Sequence, residues 1–124
     1  MPPKISSAEW EVMNRVWNKH PATAAEVYEA LPHDCEWAQK TVNTFLARLV
    51  EKGVVKVNKR GGVNLYAPLL KRDECVASES DTFLQRVFQG AAGPLLLHFC
   101  DNVELSEEEI RELQKRLRQK KGRP

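Results

Sequence analysis

A run of polar and basic side chains near the middle of the chain has the types and spacing that suit nucleic-acid recognition. Lys40, Asn43 and Thr44 are separated by helical spacing, so a helix would place them on one face. Asparagine pairs bidentately with adenine, the threonine methyl can contact the thymine methyl, and lysine or arginine binds guanine or phosphate. The candidate base- and phosphate-binding residues of this segment are Lys40, Thr41, Asn43, Thr44 and Arg48.

A second candidate phosphate-binding segment lies shortly after the first. Residues 54–58 and 63–67 are rich in β-branched and aromatic residues, and Lys59-Arg60-Gly61-Gly62 separates them. Two glycines can take the positive φ angles of a tight hairpin, so this segment predicts a β-hairpin. Its basic side chains suit phosphate, and Gly61 permits close approach of the backbone. We therefore add Lys59, Arg60 and Gly61 to the candidate DNA-binding residues.

The charge distribution supports the same region. Residues 40–60 contain six basic residues and one acidic residue, whereas the whole chain has a formal net charge of only +2. Such a local excess is typical of a phosphate-binding surface, although an ordinary solvated face fits charge alone equally well. The adjacent hairpin favours DNA. The alternative is a winged-helix module that binds a partner protein and does not bind DNA.

Helical periodicity and capping signals organise the first part of the chain into three helices. They are predicted over residues 5–19, 23–31 and 37–52, and Ser6 with Glu9 and Thr23 with Glu26 have the spacing of capping boxes. The third helix has one polar face and one apolar stripe, and Gly53 follows it as a stop. The stripe consists of Val42, Phe45, Leu46, Leu49 and Val50. Three helices followed by a basic hairpin is the order of a winged helix-turn-helix, which we assign to residues 1–70.

The remaining residues, 71–124, predict only helices, over about 71–89, 91–101 and from Ser106. Ser106 and Glu109 have the spacing of a capping box. Three short helices cannot bury all their large apolar side chains on one another, so we expect a second copy of the chain to cover them in a two-fold dimer. The alternative is that they pack back on the first domain. The predicted fold is mainly α with a small β-hairpin, and the candidate dimer residues are Phe83, Leu84, Val87, Phe88, Leu96, Leu97, Ile110 and Leu113.

Several classes of function are disfavoured. The three cysteines are widely spaced and form no CxxC pair, which excludes a disulfide framework and a four-cysteine zinc site within one chain. His33 and Cys35 are a weak metal pair, so we expect no metal and no cofactor. No nucleophile motif, paired-carboxylate site or phosphate loop is present, so we do not expect an enzyme. No apolar run is long enough to span a membrane and no signal pattern begins the chain, so we expect a cytoplasmic protein.

The order of these segments resembles the BlaI/MecI/CopY family of bacterial repressors, the penicillinase repressors. The resemblance covers nearly the whole chain and is carried by ISSAEWEVMN (5–14), WAQKTV (37–42), LARLVEKG (46–53), FLQRVFQG (83–90) and LSEEEI (105–110). It implies a homodimer that binds an inverted-repeat operator with TACA-type half-sites. It also implies repression of genes for β-lactamase, altered penicillin-binding protein or copper export, with residues 40–44 on the recognition helix and residues 59–62 in the wing.

Two positions depart from the family pattern. The β-lactam-responsive members are inactivated when a membrane sensor protease system leads to cutting of an Asn-Phe bond in the penultimate helix, and the aligned pair here is His98-Phe99. The copper-responsive members carry a CxC motif near the C-terminus, and residues 115–124 contain no cysteine. The resemblance therefore leaves two routes of release, a cut at His98-Phe99 or a mechanism without cleavage, and excludes that copper motif.

Overall fold

The computed structural model describes residues 2–122, which form six helices and one two-stranded hairpin. The described chain divides into two compact units, the first ending at Asp81 and the second beginning at Thr82. In chain order the elements are α1 Ser7–Asn18, α2 Ala24–Ala30, α3 Gln39–Glu51, β1 Val55–Arg60, β2 Val63–Pro68, α4 Arg72–Phe88, α5 Ala92–Asn102 and α6 Glu107–Lys121.

Capping boxes fix the starts of α1 and α2, as the sequence predicts. The Glu9 backbone N–H donates to Ser6 Oγ over 3.2 Å, and the Ser6 N–H donates to Glu9 Oε1 over 2.8 Å. Thr23 and Glu26 repeat the arrangement at α2, with distances of 2.9 and 3.1 Å. Each box satisfies backbone donors that the first turn of a helix leaves without partners.

Helix α3 is shorter than predicted at its start. Ala38 has an extended backbone with ψ 161° and no side-chain cap, so the helix begins at Gln39 and the predicted start at Trp37 is wrong. Val42, Leu46 and Leu49 are fully buried, which confirms the apolar stripe. At the other end Gly53 has φ +78°, and the Val54 N–H donates to the Leu49 carbonyl over 3.0 Å. This is the Schellman termination that a glycine stop predicts.

The predicted hairpin is confirmed, with a tighter turn than expected. Strands β1 and β2 are antiparallel, and Arg60 pairs with Val63. The turn therefore consists of Gly61 and Gly62 alone, with φ +57° and +80°. Two consecutive positive φ angles match the twist of the strands, and glycine adopts them without a Cβ clash. Lys59 and Arg60 belong to β1, so the prediction that they lie in the turn is wrong.

An isolated β-bridge joins the hairpin to the segment between α1 and α2. Ala22 and Tyr66 form an antiparallel bridge, with N–O distances of 3.0 and 2.8 Å. Trp17 adds a second tie through its Nε1, which donates to the Leu70 carbonyl over 3.0 Å. The hairpin is therefore held against the helical core at a fixed place. The hydrophobic core of the first unit consists of Ile5, Val12, Met13, Val16, Ala22, Val27, Leu31, Val42, Leu46, Leu49, Val54, Val55, Tyr66 and Cys75.

The second unit has a different character, because none of its described side chains is fully buried. The predicted capping box of α6 is confirmed, with Ser106 and Glu109 bonded over 3.0 and 3.1 Å. Of the candidate dimer residues, Leu84 and Phe88 are half-buried. The exposed ones are Phe83, Val87, Leu96, Leu97, Ile110 and Leu113.

The predicted division at residue 70 falls between β2 and α4, whereas the two compact units meet within α4. The assignment of the helices after residue 70 to dimerisation stays a prediction. No helix within residues 2–122 combines the length and the apolar content that a membrane crossing needs.

Candidate nucleic-acid interface

The polar face of α3 is open to solvent. Lys40, Asn43, Thr44 and Arg48 are exposed, whereas Thr41 is half-buried. The buried side chains Val42, Leu46 and Leu49 hold the opposite face against the core. The helix is therefore seated by one side and presents the other, which is what insertion into a major groove requires.

The Thr44 hydroxyl is hydrogen-bonded within α3, and the side chain is exposed. Its Oγ1 donates to the Lys40 carbonyl over 3.2 Å, one turn back along the helix. In this arrangement the hydroxyl proton is used inside the helix. The methyl group stays available for apolar contact, which suits the thymine methyl in a major groove.

Arg48 lies beside an aromatic pair that we define as Trp37 and Phe45. The Arg48 guanidinium carbon is 5.7 Å from the centroid of the Phe45 ring. The Phe45 and Trp37 rings are 5.0 Å apart with an interplanar angle of 52°. Helical periodicity places Phe45 in the apolar stripe of α3 and does not predict this contact. The sequence feature that could have indicated the contact is Phe45, an aromatic residue one helical turn before Arg48.

The hairpin presents its basic residues on two sides. Lys59, Arg60 and Gly61 are all exposed. Successive residues of a strand point to opposite faces, so Lys59 and Arg60 flank the ribbon rather than share a face. The structure therefore places two basic side chains beside a glycine turn.

Lys52 differs from the other basic residues of segment 40–60 because it is used inside the protein. Its Nζ donates to Glu9 Oε1 over 2.5 Å and to the Lys4 carbonyl over 2.9 Å. Glu9 is only 2% exposed. Burial raises the pKa of the Glu9 carboxyl, but the hydrogen bonds from Lys52 and Ser6 outweigh it and hold that pKa below its ordinary value. The local positive excess open to a ligand is therefore smaller than the sequence count indicates.

The candidate cleavage bond lies within α5. His98 and Phe99 are both exposed, with their rings 6.0 Å apart. Asn102 Nδ2 donates to the His98 carbonyl over 3.0 Å and lies 3.3 Å from His98 Nδ1. Both side chains are open to solvent, and the peptide bond between them lies in regular helix. Among the described residues, no cluster of three His, Cys, Asp or Glu side chains could hold a metal ion.

Comparison with known proteins decides the family. The penicillinase repressor family model matches residues 5–119. The chain belongs to the penicillinase repressor family. A penicillinase repressor of Bacillus licheniformis is 36% identical over 121 residues, covering 98% of this chain and 94% of the relative. The methicillin resistance regulatory protein MecI of Staphylococcus aureus strain N315 is 35% identical over 117 residues, covering 94% and 95%.

Solved structures from the family confirm the predicted winged-helix fold. The DNA-binding domain of the repressor BlaI has a TM-score of 0.53 and 35% identity, covering 60% of this chain and 90% of that domain. Bacillus licheniformis BlaI, solved as a monomer in complex with the blaP half-operator, has a TM-score of 0.51 and 35% identity, with the same coverage. The predicted family resemblance is confirmed with the fold.

Proposed function

We propose that this protein is a transcriptional repressor that binds an inverted-repeat operator as a homodimer. The observation that carries the proposal is the exposed polar face of α3, seated by fully buried residues on its other side. In this proposal α3 enters the major groove, and the exposed Lys59, Arg60 and Gly61 contact phosphates beside it. A relative that is 35% identical binds the blaP half-operator, which supports DNA as the ligand.

The homodimer is supported by the apolar surface of the second unit. Helices α5 and α6 line a groove of about 650 Å³. Its wall is mainly apolar, with Leu96, Phe99, Val103 and Leu113 among its lining side chains. Burying large apolar side chains stabilises association by about 1.5–3 kcal/mol each. A second copy would cover this surface and would also pair two DNA-binding domains on two half-sites.

As regulated genes we propose genes of β-lactam resistance or related stress genes. Two relatives, a penicillinase repressor and a methicillin resistance regulatory protein, support this class. The proposed activity is binding and not catalysis, and it places the protein in the cytoplasm, where its operator lies. For release we propose a cut at His98-Phe99 after a membrane sensor protease responds to the inducer.

The test compares Asn43→Ala with Lys59→Ala on the blaP half-operator duplex and on a random duplex of equal length. Asn43→Ala should cost about 1–3 kcal/mol on the specific duplex and relax base preference. Lys59→Ala should weaken both duplexes alike and flatten the salt slope by about one. Lys115→Ala, a change on the exposed face of α6, is the matched control and should bind like the parent.

The competing function is a module that binds a partner protein. A parent chain that binds neither duplex, even at low salt, would favour it. Binding without any salt dependence would also contradict a phosphate-contacting surface, because counterion release makes DNA affinity fall steeply with salt.

A further inference from the structure

We propose that Phe45 is a positioning residue that holds the Arg48 guanidinium ready for a DNA phosphate, with Trp37 packed against Phe45. The proposal rests on the proposed function of α3. It adds two residues that contact no DNA themselves and act through Arg48.

The three side chains lead from the core to the surface. Trp37 and Phe45 are half-buried and pack against the core cluster of the first unit. Their ring centroids are 5.0 Å apart, so each limits the movement of the other. Arg48, one turn after Phe45, is exposed and lies over the Phe45 ring at 5.7 Å. The aromatic pair is therefore anchored at its inner end and free to contact a cation at its outer end.

Arg48 has no competing partner within residues 2–122. None of the ion pairs there involves it, and no carboxylate oxygen comes within 4.0 Å of its nitrogens. The contact with a ring face consumes none of the in-plane N–H donors of a guanidinium. Those donors stay available, and their fork geometry matches two phosphate oxygens. An unpaired arginine on the polar face of α3 is thus equipped to bind phosphate.

The ring matters because an arginine side chain is flexible. A free side chain loses rotamer entropy when it is fixed on a ligand, and that loss weakens binding. Attraction to the ring quadrupole confines the guanidinium before DNA arrives. At an exposed site this attraction corresponds to about a two- to fivefold change in an equilibrium constant.

A purely structural role for Phe45 predicts something different. Loss of packing would lower the stability of the domain and weaken binding whether or not Arg48 is present. A positioning role makes the effect of Phe45 depend on Arg48. The two roles are therefore separated by a double-mutant cycle rather than by one variant.

The experiment uses the full chain with Phe45→Leu and Phe45→Tyr, each in the parent and in an Arg48→Ala background. Affinity is measured across a salt series for the blaP half-operator duplex and for a random duplex. We expect Phe45→Leu to weaken binding about two- to fivefold in the parent and to have no further effect after Arg48→Ala. Phe45→Tyr keeps the ring and should bind like the parent.

The salt slope provides a second readout. Arg48→Ala should reduce the slope by about one, because a phosphate contact is lost. Phe45→Leu should leave the slope unchanged, because Arg48 still reaches the phosphate, only less often. Thermal unfolding of each variant shows that the comparison is made on folded protein. Trp37→Phe is a second, milder change, made at the residue that packs against Phe45.

Two outcomes would overturn the proposal. Equal weakening by Phe45→Leu in both backgrounds would assign Phe45 to packing alone. Parent-like binding by Phe45→Leu in the parent background would show that the ring does not assist Arg48. A parent chain that binds neither duplex would instead contradict the proposed function, so the two failures are distinguishable.

Discussion

At the scale of single residues, the hydrogen bond made by Thr44 favours the methyl group as the part of its side chain that contacts DNA. Because Oγ1 donates to the Lys40 carbonyl, we expect the methyl group to contact thymine. Thr44→Val keeps that methyl and should preserve preference for the specific duplex. Thr44→Ser keeps the hydroxyl, loses the methyl and should weaken specific binding by about 1 kcal/mol. Competition between the blaP half-operator duplex and a random duplex measures both changes.

The two Thr44 variants control each other, since each removes the group that the other keeps. If Thr44→Ser binds like the parent and Thr44→Val loses specificity, the hydroxyl is the reading group and the methyl assignment is wrong. Circular dichroism checks that valine, which is β-branched like threonine, leaves α3 intact.

At the scale of elements, a partly buried ion pair ties the start of α1 to the end of α3. Glu9 accepts from Lys52, and its lowered pKa means that folding favours its ionised form. The stability that this carboxylate contributes is complete above its unfolded pKa of about 4.3 and is lost as the pH falls through the lower folded value. We expect Glu9→Gln to lower the free energy of unfolding at neutral pH by about 1–3 kcal/mol. The difference from the parent should shrink below about pH 4.

Glutamine can still complete the capping box, so this change isolates the charge. Glu26→Gln is the matched control, because Glu26 occupies the same position in the second capping box but lies exposed and lacks a lysine hydrogen bond. Denaturant unfolding at several pH values compares the two. An equal loss in both variants would assign the effect to capping and not to the ion pair.

Local signals in the sequence predicted most of the elements, and long-range contacts account for what was missed. Capping boxes and the glycine turn depend on neighbouring residues, which is why Ser6, Thr23 and Ser106 were predicted correctly. The Ala22–Tyr66 bridge and the Glu9–Lys52 pair join residues far apart in the chain, and no periodic pattern indicates them. The count of basic residues in segment 40–60 therefore overestimates the positive charge that is open to a ligand, because it includes Lys52.

Whether a side chain is buried or exposed was harder to predict than the helix or strand to which it belongs. The spacing of α3 placed Phe45 with the buried stripe, whereas the fold turns it half outward beside Arg48. A residue at the edge of a helical stripe is buried or exposed according to what packs on it, and Trp37 lies outside the helix. Amphipathic periodicity could predict the polar face of α3 but not the packing of Trp37 against Phe45 beside it.

At the scale of the whole molecule, operator affinity should depend on the second unit through dimerisation. Leu96 lines the apolar groove and is 48% exposed, so Leu96→Asp should leave the protomer folded while placing a carboxylate in the proposed interface. Desolvating an unpaired charge opposes association. We expect monomers by analytical ultracentrifugation and about a hundredfold or greater loss on a duplex with two half-sites, with single half-site binding unchanged.

Leu69→Asp is the matched control for the dimer prediction. Leu69 is 54% exposed and lies in the first unit, between β2 and α4. This variant should keep the oligomeric state and the affinity of the parent. A Leu96→Asp chain that stays dimeric and binds tightly would place the interface on another surface.

Loss of the proposed dimer interface would also release the repressor from its operator. A cut between His98 and Phe99 would leave Leu96 on the N-terminal fragment and the other lining residues, from Phe99 to Leu117, on the C-terminal fragment, so it would separate the groove from the DNA-binding domain. A protease binds extended chain, so α5 must open locally before the cut, and this opening breaks the hydrogen bond from Asn102 to the His98 carbonyl.

We expect cells exposed to a β-lactam to yield two fragments that meet between His98 and Phe99, observed by intact mass, with dimers and repression lost together. Asn102→Ala removes the restraining bond and should speed the cut. Derepression with the full-length chain intact would contradict cleavage and show release by another route.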